Sequence, residues 1–150
     1  MLTFRNILVP TDFSEPSTAA FRMAAALARD HGANLIVLHV REIPPAPLPT
    51  FGTVAPPDEG QHKLLLDKLE QVELSDGSVS VEYVMVDGEA GEEIVKVATD
   101  RRCDLIVLGT HGRTGLGRLL MGSVTLEVMR KAPCPVLTLK HFVPATAKAQ

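Results

Sequence analysis

Asp104-Leu-Ile-Val-Leu-Gly-Thr-His-Gly-Arg-Thr-Gly-Leu-Gly-Arg-Leu-Leu-Met-Gly-Ser123 is the densest stretch of the chain. It opens on Leu105 to Leu108, a continuous branched apolar run that suits a strand covered on both faces. Five glycines follow, at 109, 112, 115, 117 and 122, with His111, Arg113, Arg118 and several hydroxyls among them. From Ser123 to Arg130 a helical pattern takes over, with Val124, Val128 and Met129 on one face. Glycine lets backbone approach a ligand closely, and a helix start presents free N–H groups and partial positive charge. A strand that ends in glycines and leads into a helix start is therefore an anion site, most naturally for phosphates. Ser123 either donates its hydroxyl to a phosphate oxygen or caps the helix.

Spacing excludes two familiar phosphate loops. Walker A requires Lys-Ser/Thr after its second glycine, and Arg118-Leu119 follow Gly117 while Ser123-Val124 follow Gly122. The dinucleotide fingerprint needs a glycine at 120 after Gly115 and Gly117, where Leu120 stands, and it belongs after the first strand.

Outward from this stretch the pattern alternates. Asn6–Pro10, Asn34–Val40, Ser80–Val86 and Val136–Leu139 read as four further strands. Helical patterns lie between them. Ser17 to His31 carries Ala20, Phe21, Ala24, Ala25, Leu27 and Ala28, with Ser14 as N-cap, Pro16 in the first turn and Gly32 as the stop. Gly60 to Leu74 has Leu64, Leu65, Leu69 and Val72 at helical spacing, and Ala90 to Asp100 places Ile94, Val95 and Ala98 on one face. The order βαβαβαβαβ implies a mostly parallel α/β sheet in one domain, residues 1–143. Six prolines between Ile43 and Pro57 make 43–59 an exposed loop, either a variable connection or a lid. The small, polar residues 144–150 form a frayed tail.

At 150 residues the chain has the size of one ordinary domain. Apolar residues at 45% against 22% charged exclude disorder, and the apolar runs are too short for a membrane span. A net charge of −3, no Trp and one Tyr argue against nucleic acid as the partner. Cys103 and Cys134 lack CxxC spacing and no signal peptide opens the chain, so a cytoplasmic location with reduced thiols is expected.

Gly109-x-x-Gly112, nine residues, then Gly122-Ser123 resembles the nucleotide-binding motif G-2x-G-9x-G-[S/T] of the universal stress protein family. The opening Ile-Leu-Val-Pro-Thr-Asp12, the block from Asp104 to Gly112 and the closing Ala132-Pro-Cys-Pro-Val-Leu137 extend the resemblance over nearly the whole chain. It implies a five-stranded sheet of order 3-2-1-4-5 with helices on both faces. This is a Rossmann-like fold of the adenine nucleotide alpha hydrolase type. It implies ATP as ligand, with Mg²⁺ or Mn²⁺ carried by the phosphates. Pro10, Thr11 and Asp12 would line the adenine and ribose side, and Val40 would contact adenine through its backbone. Gly109, Thr110 and His111 would lie by the ribose and α-phosphate, and Gly112 and Arg113 would begin the phosphate loop. Gly122, Ser123, Val124 and Thr125 would hold phosphates. In the implied strand order Val136, Leu137, Thr138 and Leu139 form an edge strand, a hazard unless paired. The resemblance pairs two such edges in a homodimer.

Other readings compete at single residues. Asp12 either serves the ligand or holds the turn before the first helix. His111, with no carboxylate nearby in sequence to orient it, is no obvious base. His39, inside an apolar strand, reads as a packed, hydrogen-bonded histidine. His31, His62 and His141 are too scattered for a metal site. The cysteines read as packing residues, and Glu92-Glu93 as a complement to a helix dipole. No catalytic residue is assigned. An efficient ATPase needs a positioned water and a carboxylate-held metal. The signatures of nucleotidyl-transferring enzymes of the wider fold group are absent. Three functions follow: a nucleotide-dependent regulator of stress responses acting on a protein partner, a slow ATPase or phosphotransferase, and a sensor of AMP or another adenine nucleotide.

Overall fold

The structure is a computed structural model and describes residues 1–42, 60, 63, 64, 67, 77–110 and 122–140. β1 (Asn6–Pro10), β2 (Asn34–Arg41), β3 (Val81–Asp87), β4 (Leu105–Gly109) and β5 (Val136–Leu139) form one sheet of order β3-β2-β1-β4-β5. All neighbouring pairs are parallel, with Ile7 opposite both Leu35 and Leu105, Leu35 opposite Val81, and Ile106 opposite Val136.

Side chains alternate between the two faces of the sheet. Ile7, Val9, Leu35, Val37, Leu105 and Val107 pack with Ala20, Phe21, Ala24, Ala25 and Ala28 of α1 (Glu15–His31). Leu8, Ile36, Leu38, Ile106 and Leu108 pack on the other face. There they meet Ile94, Val97 and Ala98 of α2 (Ala90–Asp100) and Val128 of α3 (Ser123–Lys131). Both faces of the central strands are covered, which is why they read as unbroken apolar runs rather than alternating ones. Ile7, Leu8 and Val9 are fully buried, each worth about 1.5–3 kcal/mol of transfer from water.

α1 starts at Glu15, directly after the expected cap Ser14 and ahead of the periodic pattern that opens at Ser17, with Pro16 in the first turn as expected. The Ser14 side chain accepts the Ser17 N–H at 3.4 Å. At the other end Gly32 takes φ 63°, ψ 33°, the left-handed cap that glycine adopts without penalty. The small alanine face lets α1 lie close on the sheet.

Two helix faces differ from the expected ones. In α2 Val97 is buried with Ile94 and Ala98, and Val95 is only half-buried. Positions i+3 and i+4 from Ile94 stack over it, whereas i+1 lies about 100° round the axis. In α3 Thr125 and Val128 are buried, and Met129 is 47% exposed. Gly60, Lys63, Leu64 and Asp67 are helical, as expected for the 60–74 segment. The loop 43–59 and the tail 144–150 lie outside the described residues. Among the described residues no helix is long and apolar enough to cross a membrane.

Candidate functional site

In an open parallel sheet the strand order reverses at one point, and the crevice there opens beyond the strands' C-terminal ends. Here β1 is flanked by β2 on one side and β4 on the other, so the crevice lies between the ends of β1 and β4. Three segments meet there: the turn after β1, the end of β4 and the start of α3.

The turn after β1 is held by its own polar groups. Asp12 Oδ1 accepts the Ser14 N–H at 2.9 Å, and Thr11 Oγ1 accepts the Phe13 N–H at 3.1 Å. Thr11 Oγ1 also lies 3.2 Å from Ser17 Oγ, and Ser17 Oγ donates to the Ser14 carbonyl at 2.8 Å. Phe13 sits at φ 64°, a left-handed conformation that costs a non-glycine residue energy and marks a turn fixed by its surroundings. Asp12 thus serves the turn through one oxygen.

Gly109 ends β4 directly under the first turn of α1. A Cβ at Gly109 would stand 2.7 Å from the Pro16 carbonyl oxygen and 2.8 Å from its carbon. Thr110 follows as a junction. Its N–H donates to the Leu139 carbonyl at 3.0 Å, and its carbonyl accepts the Gly122 N–H at 3.3 Å. Thr110 is buried, and its Oγ1 has no hydrogen-bond partner among the described residues. Thr110 and Gly122, the described residues on either side of 111–121, are thus joined by one hydrogen bond. His111, Gly112 and Arg113 fall in that segment, outside the described residues.

α3 begins at this junction. Gly122 is its N-cap, so Ser123 is the first helical residue and does not cap. Among the described residues no side chain caps this end, and its first turn holds no acidic residue. α1 carries Glu15 in its first turn and α2 carries Glu92 and Glu93. Among the described residues nothing takes up the first N–H groups of α3 or neutralises the partial positive charge of its N-terminus. A Cβ on Gly122 would meet nothing within 4 Å among the described residues. Thr125 is buried behind this end, its Oγ1 donating to the Gly109 carbonyl at 3.4 Å.

Pro10 ends β1, and Val40 is the last but one residue of β2, on the same side of the sheet. Beside Val40 the Arg41 guanidinium grips Asp87 with Nε–Oδ1 2.6 Å and Nη2–Oδ2 2.7 Å, tying the ends of β2 and β3. That bond raises the Arg41 pKa further. Of the thirteen expected site residues, ten are described, and all ten stand at the C-terminal side of the sheet or at the start of α3. His39, read from the sequence as packed and hydrogen-bonded, is so: it is buried and its Nδ1 lies 2.9 Å from the Thr11 carbonyl oxygen. Its contact with the site turn had no local signal, because the two residues are 28 apart in the chain.

The cysteines stand away from this end. Burial pushes the Cys103 thiol up to about 12 and raises the Cys134 thiol, so both are protonated and poor nucleophiles near neutral pH. Among the described residues no three His, Cys, Asp or Glu side chains converge to hold a metal.

The sequence model of the universal stress protein family matches residues 3–140. Universal stress protein MJ0531 of Methanocaldococcus jannaschii is 34% identical over 143 residues, covering 91% of this chain and 82% of its own. Universal stress protein MJ0577 of the same organism is 34% identical over 155 residues, covering 92% and 96%. The solved structure of MJ0577 superposes with a TM-score of 0.76 at 32% identity, over 95% of this chain and 99% of that one. A universal stress protein solved in complex with cAMP shares the fold, with a TM-score of 0.70 at 23% identity over 93% of this chain and 98% of its own. Matched along nearly its whole length in sequence and in fold, the chain belongs to the universal stress protein family.

Proposed function

We propose that the protein is an ATP-binding regulatory member of this family, active in the cytoplasm as a homodimer and built as one domain over residues 1–143. One observation carries the reading: among the described residues α3 starts at a glycine with neither a side-chain cap nor an acid in its first turn, beside the buried hydroxyl of Thr110, which has no partner among them. A helix end left in this state is matched by an anion such as a phosphate. The G-2x-G-9x-G-[S/T] spacing points the same way. In this reading Gly122, Ser123, Val124 and Thr125 hold phosphates, with Gly112, Arg113 and His111 closing from the loop. Gly109 and Thr110 form the floor. Pro10, Thr11 and Asp12 line the ribose side, and Val40 meets adenine. Mg²⁺ or Mn²⁺ arrives on the phosphates. With no base assigned beside the phosphates, turnover is slow or absent, and ATP acts by changing the surface offered to a protein partner. The two copies pair through Val136–Leu139, the edge strand of the sheet.

Calorimetric titration of stripped protein with Mg-ATP tests the reading. One site per chain supports it, and no heat at two temperatures removes it. The cAMP complex of a fold relative makes an adenine mononucleotide the competing ligand. Competition of AMP and cAMP against bound ATP separates the two.

A further inference from the structure

We infer that His39 is a positioning residue that opens a base-reading edge at the nucleotide site by ending the β1–β2 ladder one rung early. The inference rests on the ATP-binding reading for its ligand but not for its geometry.

The register shows where the ladder should go. In a parallel pair alternate residues turn both N–H and C=O to the same neighbour. The Asn34 N–H donates to the Arg5 carbonyl and the Thr11 N–H to the Leu38 carbonyl, each at 2.8 Å, so residues 34, 36, 38 and 40 face β1. The Leu35 N–H donates to the Ser80 carbonyl at 2.8 Å and the Gly88 N–H to the Arg41 carbonyl at 3.1 Å, so the odd residues face β3. The next rung towards β1 would join the Val40 N–H to the Thr11 carbonyl.

Among the described residues that rung does not form. The Thr11 carbonyl oxygen accepts instead from His39 Nδ1, 2.9 Å away. The imidazole packs against the Phe13 ring with centroids 4.8 Å apart, and Phe13 is the residue held at φ 64°. The histidine therefore satisfies the Thr11 carbonyl from the side and holds the turn that follows β1 against β2. Val40 is half-buried, with its N–H and C=O turned to the space beyond the end of β1.

A single residue that offers a donor and an acceptor along one edge pairs with a planar ring offering the reverse order. Adenine presents an acceptor at N1 beside a donor at its amino group. Guanine, held by the same ribose and phosphates, presents donor and acceptor exchanged, so donor would face donor. A buried mispair of this kind costs far more than a lost contact. His39 thereby acts on base choice without touching the base.

The test compares the full-length protein with His39→Phe, which keeps the ring packing and loses the donor, and with His39→Asn, which keeps a donor near the Nδ1 position. Affinities for Mg-ATP, Mg-GTP and inorganic triphosphate are measured, with hydrogen exchange at the Val40 amide. The wild type should prefer ATP over GTP by about tenfold or more, a difference of about 1.4 kcal/mol. His39→Phe should lose that preference while binding triphosphate unchanged, and His39→Asn should keep it. An unchanged ATP/GTP ratio in His39→Phe overturns the inference. In the ligand-free wild type the Val40 amide should exchange much faster than the Leu38 amide, and equal protection overturns the inference even if no variant folds. This last measurement needs no ligand. A wild type that binds no ATP but exchanges fast at Val40 therefore rejects the ATP reading and leaves the His39 geometry standing.

Discussion

Gly109 and the Pro16 carbonyl are packed so closely that no side chain fits between them. A Cβ at Gly109 would come within 2.7 Å of that oxygen, which belongs to the backbone of the first turn of α1. Gly109, the first glycine of the G-2x-G-9x-G-[S/T] spacing, is therefore a packing residue, and it sets how near the turn after β1 comes to the end of β4. The last glycine of the motif is different. Gly122 has an ordinary φ of −59°, and a Cβ there meets nothing within 4 Å among the described residues.

Gly109→Ala should damage the fold itself. Backbone cannot yield as a flexible side chain can, and forcing an extra methyl into a packed site costs about 1–3 kcal/mol. Denaturant unfolding should show that loss without any nucleotide present. Wild-type stability in Gly109→Ala would mean that α1 shifts freely and that the close packing is unimportant.

Gly122→Val should separate folding from binding. The new side chain meets nothing within 4 Å among the described residues, and exchanging glycine for valine at an N-cap costs about 1 kcal/mol. With phosphates at the α3 start, the branched side chain occupies their place. Calorimetry should find ATP binding abolished while circular dichroism and oligomeric state stay as in the wild type. Normal ATP affinity in this variant would place the phosphates elsewhere.

Thr138→Pro should split the proposed homodimer without unfolding the protomer. The Ile106 N–H donates to the Pro135 carbonyl and the Thr110 N–H to the Leu139 carbonyl, so residues 135, 137 and 139 turn to β4. Val136 and Thr138 then turn their backbone outward, and proline at an outward position of an edge strand breaks no rung with β4. Sedimentation at tens of micromolar should find dimers for the wild type and monomers for the variant. A dimeric variant would move the interface away from β5.

Alkaline pH should expose the buried thiol. Burial lifts Cys103 from 9.0 to about 12, so the folded state holds its proton where the unfolded chain has released it. Stability from this group is complete below pH 9 and is lost as pH rises towards 12. Cys103→Val, similar in size and without a proton to lose, should show a shallower fall in urea midpoint between pH 8 and 10.5. Identical falls in both proteins would mean that the thiol is hydrated.

Much of this molecule is legible along the chain. β1 and β4 read as strands because both faces of a central parallel strand are buried, which leaves an unbroken apolar run. The limits of α1 follow from Ser14 and Gly32, whose capping chemistry lies within one turn of the helix end. The spacing from Gly109 to Ser123 is linear and survives without coordinates. What remained hidden depends on sheet order, which brings together residues far apart in sequence. That Val97 and not Val95 meets the core depends on how α2 is rotated on the sheet. That Gly109 is crowded depends on α1 crossing the end of β4. That the Thr110 hydroxyl is buried with no partner among the described residues, and that His39 takes the carbonyl Val40 would otherwise bond, are properties of the place where three segments converge. Local pattern records the periodicity of burial and the chemistry of caps. The long-range packing of backbone against backbone, which sets the shape of the candidate site, leaves no mark on either.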